Sequence, residues 1–205
     1  MIPNEVRDMI KKNRSRLPVA TYETRSFDTW RWSGDPEGPI DVPEEMLETW
    51  RAFGKWRNGE PPFLFIYGPK GVGKTHLALA EGWGFFLGLE GKAQVLFYQV
   101  EGLMDTIRAG FDSGESNELL EDVKNCYLLI LDDLGAQKLT EWSVAKLDSI
   151  IDHRYIEGML TVVTSNFSLD PKYKDRIPER IADRIREGIS IRLRGESKRG
   201  AKDAE

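Results

Sequence analysis

The sequence is short of several residue types, and each shortage excludes a class of protein. One cysteine, Cys126, stands in 205 residues, so no disulfide closes within the chain. A scaffold stapled by disulfides is therefore excluded. The two histidines, His76 and His153, lie far apart and, with the one cysteine, offer no plausible zinc ligand set. Apolar runs such as "VLFY" and "YLLIL" fall well below the roughly 20 residues a membrane helix needs. The opening stretch "MIPNEVRDMIKKNRSR" is polar throughout and lacks the apolar core and cleavage site of a secretory signal. No internal repeat or low-complexity tract is visible. These absences lead us to expect a cytoplasmic protein with no membrane contact.

The length suits one domain with a single sizeable core, or one domain and a short appendage. Formal net charge is −5, but it is unevenly placed. Residues 172–202 carry eleven Lys/Arg against five Asp/Glu, leaving 18 against 29 elsewhere. A basic C-terminal fifth is either a solvated, salt-bridged helix face or a surface for phosphates, and composition does not choose between them.

What the sequence does have is an alternation of apolar runs and helical segments. Residues 1–20 read as a short amphipathic helix, with Val6, Met9 and Ile10 at helical spacing, Pro18 at its end and little core. A stretch rich in Trp, Pro and Gly leads into a helix expected over 43–59. Strands are then expected at 63–67, 93–100, 126–131, 160–166 and 190–193. Helices are expected near 74–88, 101–109, 116–124, 141–156 and 178–186. Short apolar strands alternating with helices imply a mostly parallel sheet covered on both faces, with ligands at the carboxyl ends of the strands.

At that edge the first strand runs into "GPKGVGKT", which fits G-x-x-x-x-G-K-[ST] in a strand, loop and helix context. Gly68, Pro69, Lys70, Gly71, Val72, Gly73, Lys74, Thr75 and His76 form the stretch expected to wrap phosphates. Backbone N–H groups and a helix N-terminus face the anion. Lys74 would lie on the β and γ phosphates, and the Thr75 hydroxyl on Mg²⁺. For the His76 side chain, packing or hydrogen bonding is the favoured role. The alternative for the loop is a glycine-rich turn that merely caps a helix.

"NCYLLILDDLG" delivers two carboxylates to the same edge. Because successive strand residues point oppositely, Asp132 is assigned to Mg²⁺, through Thr75 and water, and Asp133 to an attacking water. Otherwise both simply solvate a strand end, but two like charges repel and a bound cation would offset that.

The series "GPKGVGKTHLALA", "YLLILDDLGAQKLTEW", "IIDHRY", "VVTSN" and "PERIADRI" resembles the AAA+ ATPases of the DnaC/DnaI helicase-loader type, whose motifs the IstB transposition helpers share. The resemblance covers about residues 27–199. It implies an α/β three-layer P-loop NTPase with a mostly parallel five-stranded sheet and no C-terminal helical lid domain. The implied division is an N-terminal helical appendage over 1–24, the ATPase domain over 25–199 and a disordered tail over 200–205. "MIPNEVRDMIKK" is then the candidate docking helix for a partner.

Position by position, the resemblance implies that Asn166 is a sensor holding water against the γ phosphate, the alternative being a turn-forming Asn. Arg184 matches an arginine finger acting on a neighbouring subunit, with Arg180 its companion one turn earlier; ion pairs with Asp183 or Glu187 are the competing account. Arg199 matches a second nucleotide-sensing arginine, although Lys198 replaces the usual aromatic. Phe111 and Thr140 match residues that support single-stranded DNA binding, Phe111 alternatively being core. Asp133 stands where many AAA+ proteins place Glu. Its shorter reach implies slow hydrolysis, and Glu in its place would be expected to retain or raise turnover.

ATP and Mg²⁺ are the implied ligands, with self-association through the nucleotide sites. The implied partners are single-stranded DNA and a replicative helicase, or a transposase for an IstB-like helper. A small-molecule kinase would leave Asn166 and the arginine pair unexplained. A nucleotide-dependent binding switch without hydrolysis is the alternative of a different class.

Overall fold

The computed structural model describes residues 3–22, 56, 61–110 and 115–195. Among these residues five strands appear: β1 (Phe63–Tyr67), β2 (Val95–Gln99), β3 (Leu128–Leu134), β4 (Leu160–Ser165) and β5 (Ile189–Arg192). The helices are α1 (Asn4–Lys12), α2 (Lys74–Gly88), α3 (Val100–Ala109), α4 (Glu115–Asn125), α5 (Glu141–Ile156) and α6 (Glu179–Arg186). Every strand pair is parallel, in the order β2-β3-β4-β1-β5. Among the described residues, no helix is long and apolar enough to cross a membrane.

Strand alternation sorts the core into two layers. Leu64, Ile66, Leu128, Ile130, Val162 and Ile191 join Leu77, Trp83 and Phe86 of α2. Their neighbours Phe63, Phe65, Leu129, Leu131 and Val163 join residues of α3, α5 and α6 on the other face. Both faces are therefore dry, which is why these strands read as continuous apolar runs.

The N-terminal segment is more embedded than its sequence suggested. Helix α1 stops at Lys12, short of Pro18, because Asn13 turns its carboxamide into the 91–93 loop, donating to Gly91 O at 2.7 Å and Ala93 O at 2.9 Å. The chain then runs beside β2: Arg16 N donates to Val95 O and Phe97 N donates to Arg16 O, each at 2.9 Å. One extra parallel bridge thus covers a sheet edge that would otherwise expose unpaired backbone groups. Val6 and Leu17 are buried in the α2 layer, with Met9 and Ile10 packed against it. The apolar face of α1 is therefore already occupied by this chain's own core.

The expected 43–59 helix lies outside the described residues except for Trp56, which is buried and donates from Nε1 to Pro62 O at 2.9 Å. Strand β3 departs from expectation by running on through both aspartates to Leu134 rather than stopping at Leu131. At the opposite, amino edge of the sheet, Arg154 is fully buried. Its guanidinium donates to Val123 O, Lys124 O, Cys126 O, Leu160 O and Thr161 Oγ1 at 2.5 to 3.0 Å. It ties the end of α4 to the starts of β3 and β4, so the arginine of "IIDHRY" is a structural brace. Burial pushes the Cys126 thiol beside it up to about 11, which keeps that thiol protonated and inert at neutral pH.

Candidate nucleotide site

Between β1 and α2 the chain folds back as a tight loop whose geometry only glycine tolerates at two points. A Cβ on Gly68 would stand 2.1 Å from Leu193 O, the carbonyl just past β5. Gly73, the residue before α2, is left-handed at φ 99°, and no side chain caps the helix it precedes. An uncapped N-terminus offers its N–H groups and its positive dipole end to an anion. Pro69 and Lys70 are exposed on the loop, while the Val72 side chain is buried in the core, leaving only its backbone for a ligand.

Lys74 is only 7% exposed. Its Nζ donates to Gly68 O at 3.0 Å, Pro69 O at 2.7 Å and Asn166 Oδ1 at 2.8 Å. The other end of the Asn166 amide donates from Nδ2 to Asp133 Oδ1 at 2.8 Å. One carboxamide thus bridges the loop lysine and the second aspartate. From the first turn of α2, Thr75 Oγ1 donates to Asp132 of β3, whose carboxylate oxygens lie at 2.9 and 3.1 Å. Thr164 Oγ1 reaches the same carboxylate, 2.6 Å from Oδ1. Lys74, Thr75, Asp132, Asp133 and Asn166, each singled out from sequence, therefore meet at one edge of the sheet.

The two aspartates diverge for a reason that simple alternation does not supply. The β3–β4 register shifts between Leu131, opposite Val163, and Leu134, opposite Ser165. Two residues of β3 face one of β4, which is a bulge, and Asp133 takes a left-handed backbone at φ 63°. Asp and Asn tolerate that region better than most residues.

Burial raises the Asp132 carboxyl above its ordinary pKa, while hydrogen bonds from Thr164 and Thr75 pull the other way; the neighbouring Asp133 charge raises it and Lys74 lowers it. A carboxyl whose folded pKa is raised favours folding while protonated, and that contribution is lost as pH rises through the raised value. Without a cation, Asp132 therefore burdens the fold at neutral pH. We expect Asp132→Asn to raise the melting temperature of nucleotide-free protein at pH 7 by roughly 2–4 °C, about 1 kcal/mol. The gain should shrink as acidification takes the carboxyl down through its raised pKa, and be gone below about pH 4. Calorimetry without Mg²⁺ checks this, and a lowered melting temperature at pH 7 would contradict it.

Other residues singled out from sequence lie apart from this network. Arg180 Nε sits 3.2 Å from Asp148 Oδ2, and Arg184 Nε donates to Asp152 Oδ1 at 3.0 Å. Two arginines one turn apart on α6 thus match two aspartates one turn apart on α5, not the Asp183 or Glu187 of their own segment. Thr140 is exposed and caps α5, its Oγ1 accepting from Ser143 N at 3.2 Å. His76 is half-buried in the first turn of α2. His153 Nε2 stands 3.2 Å from Asn125 Oδ1, near the amino edge of the sheet and away from the loop. Phe111 and Arg199 lie outside the described residues. Thr164 was not singled out; a threonine within "LTVVTSN" reads as ordinary strand composition, and only the bulge gives it a special position.

A parallel sheet with this loop after its first strand, paired aspartates on β3 and a polar residue after β4 defines a P-loop NTPase of the AAA+ class. Comparison with known proteins narrows this. The family model described as "IstB-like ATP binding protein" matches residues 55–201, and the chain belongs to that ATP-binding family. Curated relatives include the replicative helicase loader DnaC of Buchnera aphidicola (from Acyrthosiphon pisum), 31% identical over 84% of this chain and 67% of that protein. The DnaC of Escherichia coli K12 is 34% identical over 83% of this chain and 66% of its own length. The chain thus spans about two thirds of these relatives. A solved DnaI structure superposes with a TM-score of 0.69 at 21% identity, covering 88% of this chain and 96% of that one. A DnaC helicase-loader structure gives 0.68 at 24%, covering 84% and 98%. At those identities the structural matches establish the fold.

Proposed function

We propose that this chain binds ATP with Mg²⁺, hydrolyses it slowly, and uses the cycle to deliver single-stranded DNA to a replicative helicase. The observation that carries the nucleotide chemistry is the bridge from Lys74 through Asn166 to Asp133, set beside the Thr75–Asp132 pair. Thr75 and Asp132 present hydroxyl and carboxylate oxygens alone, the hard donors Mg²⁺ prefers when phosphates supply part of its shell. Bound there, the cation would screen the triphosphate charge. Lys74 and the loop N–H groups then hold phosphate oxygens, Asn166 orients a water, and Asp133 accepts its proton.

Hydrolysis in this reading is completed between copies of the chain, with Arg184 and Arg180 reaching a neighbour's nucleotide. Both guanidinium groups are held in the single chain by partly exposed ion pairs, which cost little to exchange. Arg180 also borders an apolar groove of about 380 Å³ between α5 and α6, lined by Leu139, Val144, Pro178 and Ile181, where a second copy can bury surface. DNA contact rests on the matches at Phe111 and Thr140.

The helicase partner follows from the two DnaC relatives, which are named as replicative helicase loaders. The IstB-like match supports a second reading, a transposition helper. Tagged protein incubated with native extract in ATP or ADP separates the two. A hexameric helicase retained with ATP is the expected result, a transposase favours the second reading, and neither appearing contradicts both.

A further inference from the structure

We propose that Thr164 is a positioning residue that sets both aspartates at once, with one hydroxyl divided between the metal-side carboxylate and the backbone of the water-side residue. This rests on the reading of the site as an Mg²⁺–ATP centre. Thr164 is the single β4 residue facing the two-residue bulge of β3. Its Oγ1 accepts the Asp133 N–H at 2.9 Å and lies 2.6 Å from Asp132 Oδ1.

The direction of these bonds is fixed by counting protons. An amide N–H only donates, so the hydroxyl must accept from Asp133, and its one proton goes to Asp132. Thr164 therefore donates to the same Asp132 oxygen that Thr75 approaches most closely, so the carboxylate is held from β4 as well as from α2. A cation held there would take a lone pair of Thr75 Oγ1 and leave its proton on Asp132, so Thr164 would be the second of two donors that fix the carboxylate. The same hydroxyl replaces the ladder partner that the bulge takes from the Asp133 amide, holding a left-handed residue whose side chain must reach water. Thr164 is 1% exposed, so solvent is poorly placed to substitute for it.

Valine has the shape of threonine without the oxygen. Thr164→Val should lower kcat about 30-fold or more, since misplacing catalytic groups by about 1 Å can cost on the order of a hundredfold. It should also raise the Mg²⁺ concentration for half-maximal hydrolysis several-fold, while nucleotide binding measured in EDTA stays within about threefold. Thr164→Ser, which keeps the hydroxyl, should retain kcat within about fivefold.

A valine variant with wild-type kcat and Mg²⁺ requirement overturns the inference. Equal losses in the serine and valine variants overturn it as well, because the methyl rather than the hydroxyl would then matter. Loss of nucleotide binding in EDTA would mark the role as structural, with the same consequence. Wild-type hydrolysis that survives Lys74→Ala would instead sink the reading of the site, and this inference with it. Hydrolysis that needs Lys74 but ignores Thr164→Val sinks the inference alone.

Discussion

Replacing Lys74 with alanine is expected to weaken ATP binding at least about a hundredfold, roughly 3 kcal/mol, by equilibrium dialysis with labelled nucleotide. The size of the effect follows from where the ammonium sits. Lys74 is buried at the mouth of α2, and its Nζ is held by two loop carbonyls and the Asn166 amide oxygen. These are neutral acceptors, so a triphosphate oxygen is a stronger partner for the same cation, and the exchange needs no large movement of the side chain. The variant should still fold, because the carbonyls released from Lys74 lie on a loop beside exposed Pro69. An unchanged melting temperature with unchanged ATP affinity would show that the loop is only a helix-capping turn.

Asp133→Asn should act on the chemical step instead. Nucleotide affinity should remain within about threefold, while kcat falls on the order of a hundred- to a thousandfold, the range lost with a general base. Asparagine suits the left-handed backbone at this position, so the substitution removes proton acceptance with little strain. The Asn166 Nδ2 contact survives through the remaining carbonyl oxygen. If the arginine finger works in trans, Asp133→Asn and Arg184→Ala each damage a different half of a shared site. Mixing the two should recover hydrolysis above either alone. No recovery would place Arg184 outside its neighbour's chemistry and leave its pairing with Asp152 as its main role.

Much of this site was legible because its chemistry is written locally. The glycines, Lys74 and Thr75 occupy one contiguous stretch, and β1 has the limits its apolar run suggested. Asp132 and Asp133 stand out as charges after a buried run. What escaped depends on contacts between distant segments. Sequence periodicity proposed Asp183 and Glu187 as partners for the α6 arginines, since it sees neighbours within a helix. The actual partners, Asp148 and Asp152, come from a helix about thirty residues earlier that packs alongside.

The bulge is invisible for the same reason: it arises from an extra residue in β3 measured against β4, not from anything in β3 alone. It changes the view of Asp133. A short carboxylate looked like a deficit that glutamate would repair, but the left-handed backbone favours aspartate over glutamate, so reach and backbone geometry pull in opposite directions. Similarly, α1 looked like an amphipathic helix with little core, whereas Val6 is buried against this chain's own core.

Whether this edge of the sheet hydrolyses ATP or merely holds it is decided by a single-turnover assay. Excess protein would be mixed with radiolabelled ATP, in Mg²⁺ or in EDTA, and bound nucleotide recovered over time. Conversion to ADP and phosphate is expected with Mg²⁺ and intact ATP in EDTA, with conversion lost in Asp133→Asn. Intact ATP recovered from the wild-type protein with Mg²⁺, across oligomer-forming concentrations and with single-stranded DNA present, would contradict it and leave a nucleotide-dependent binding switch.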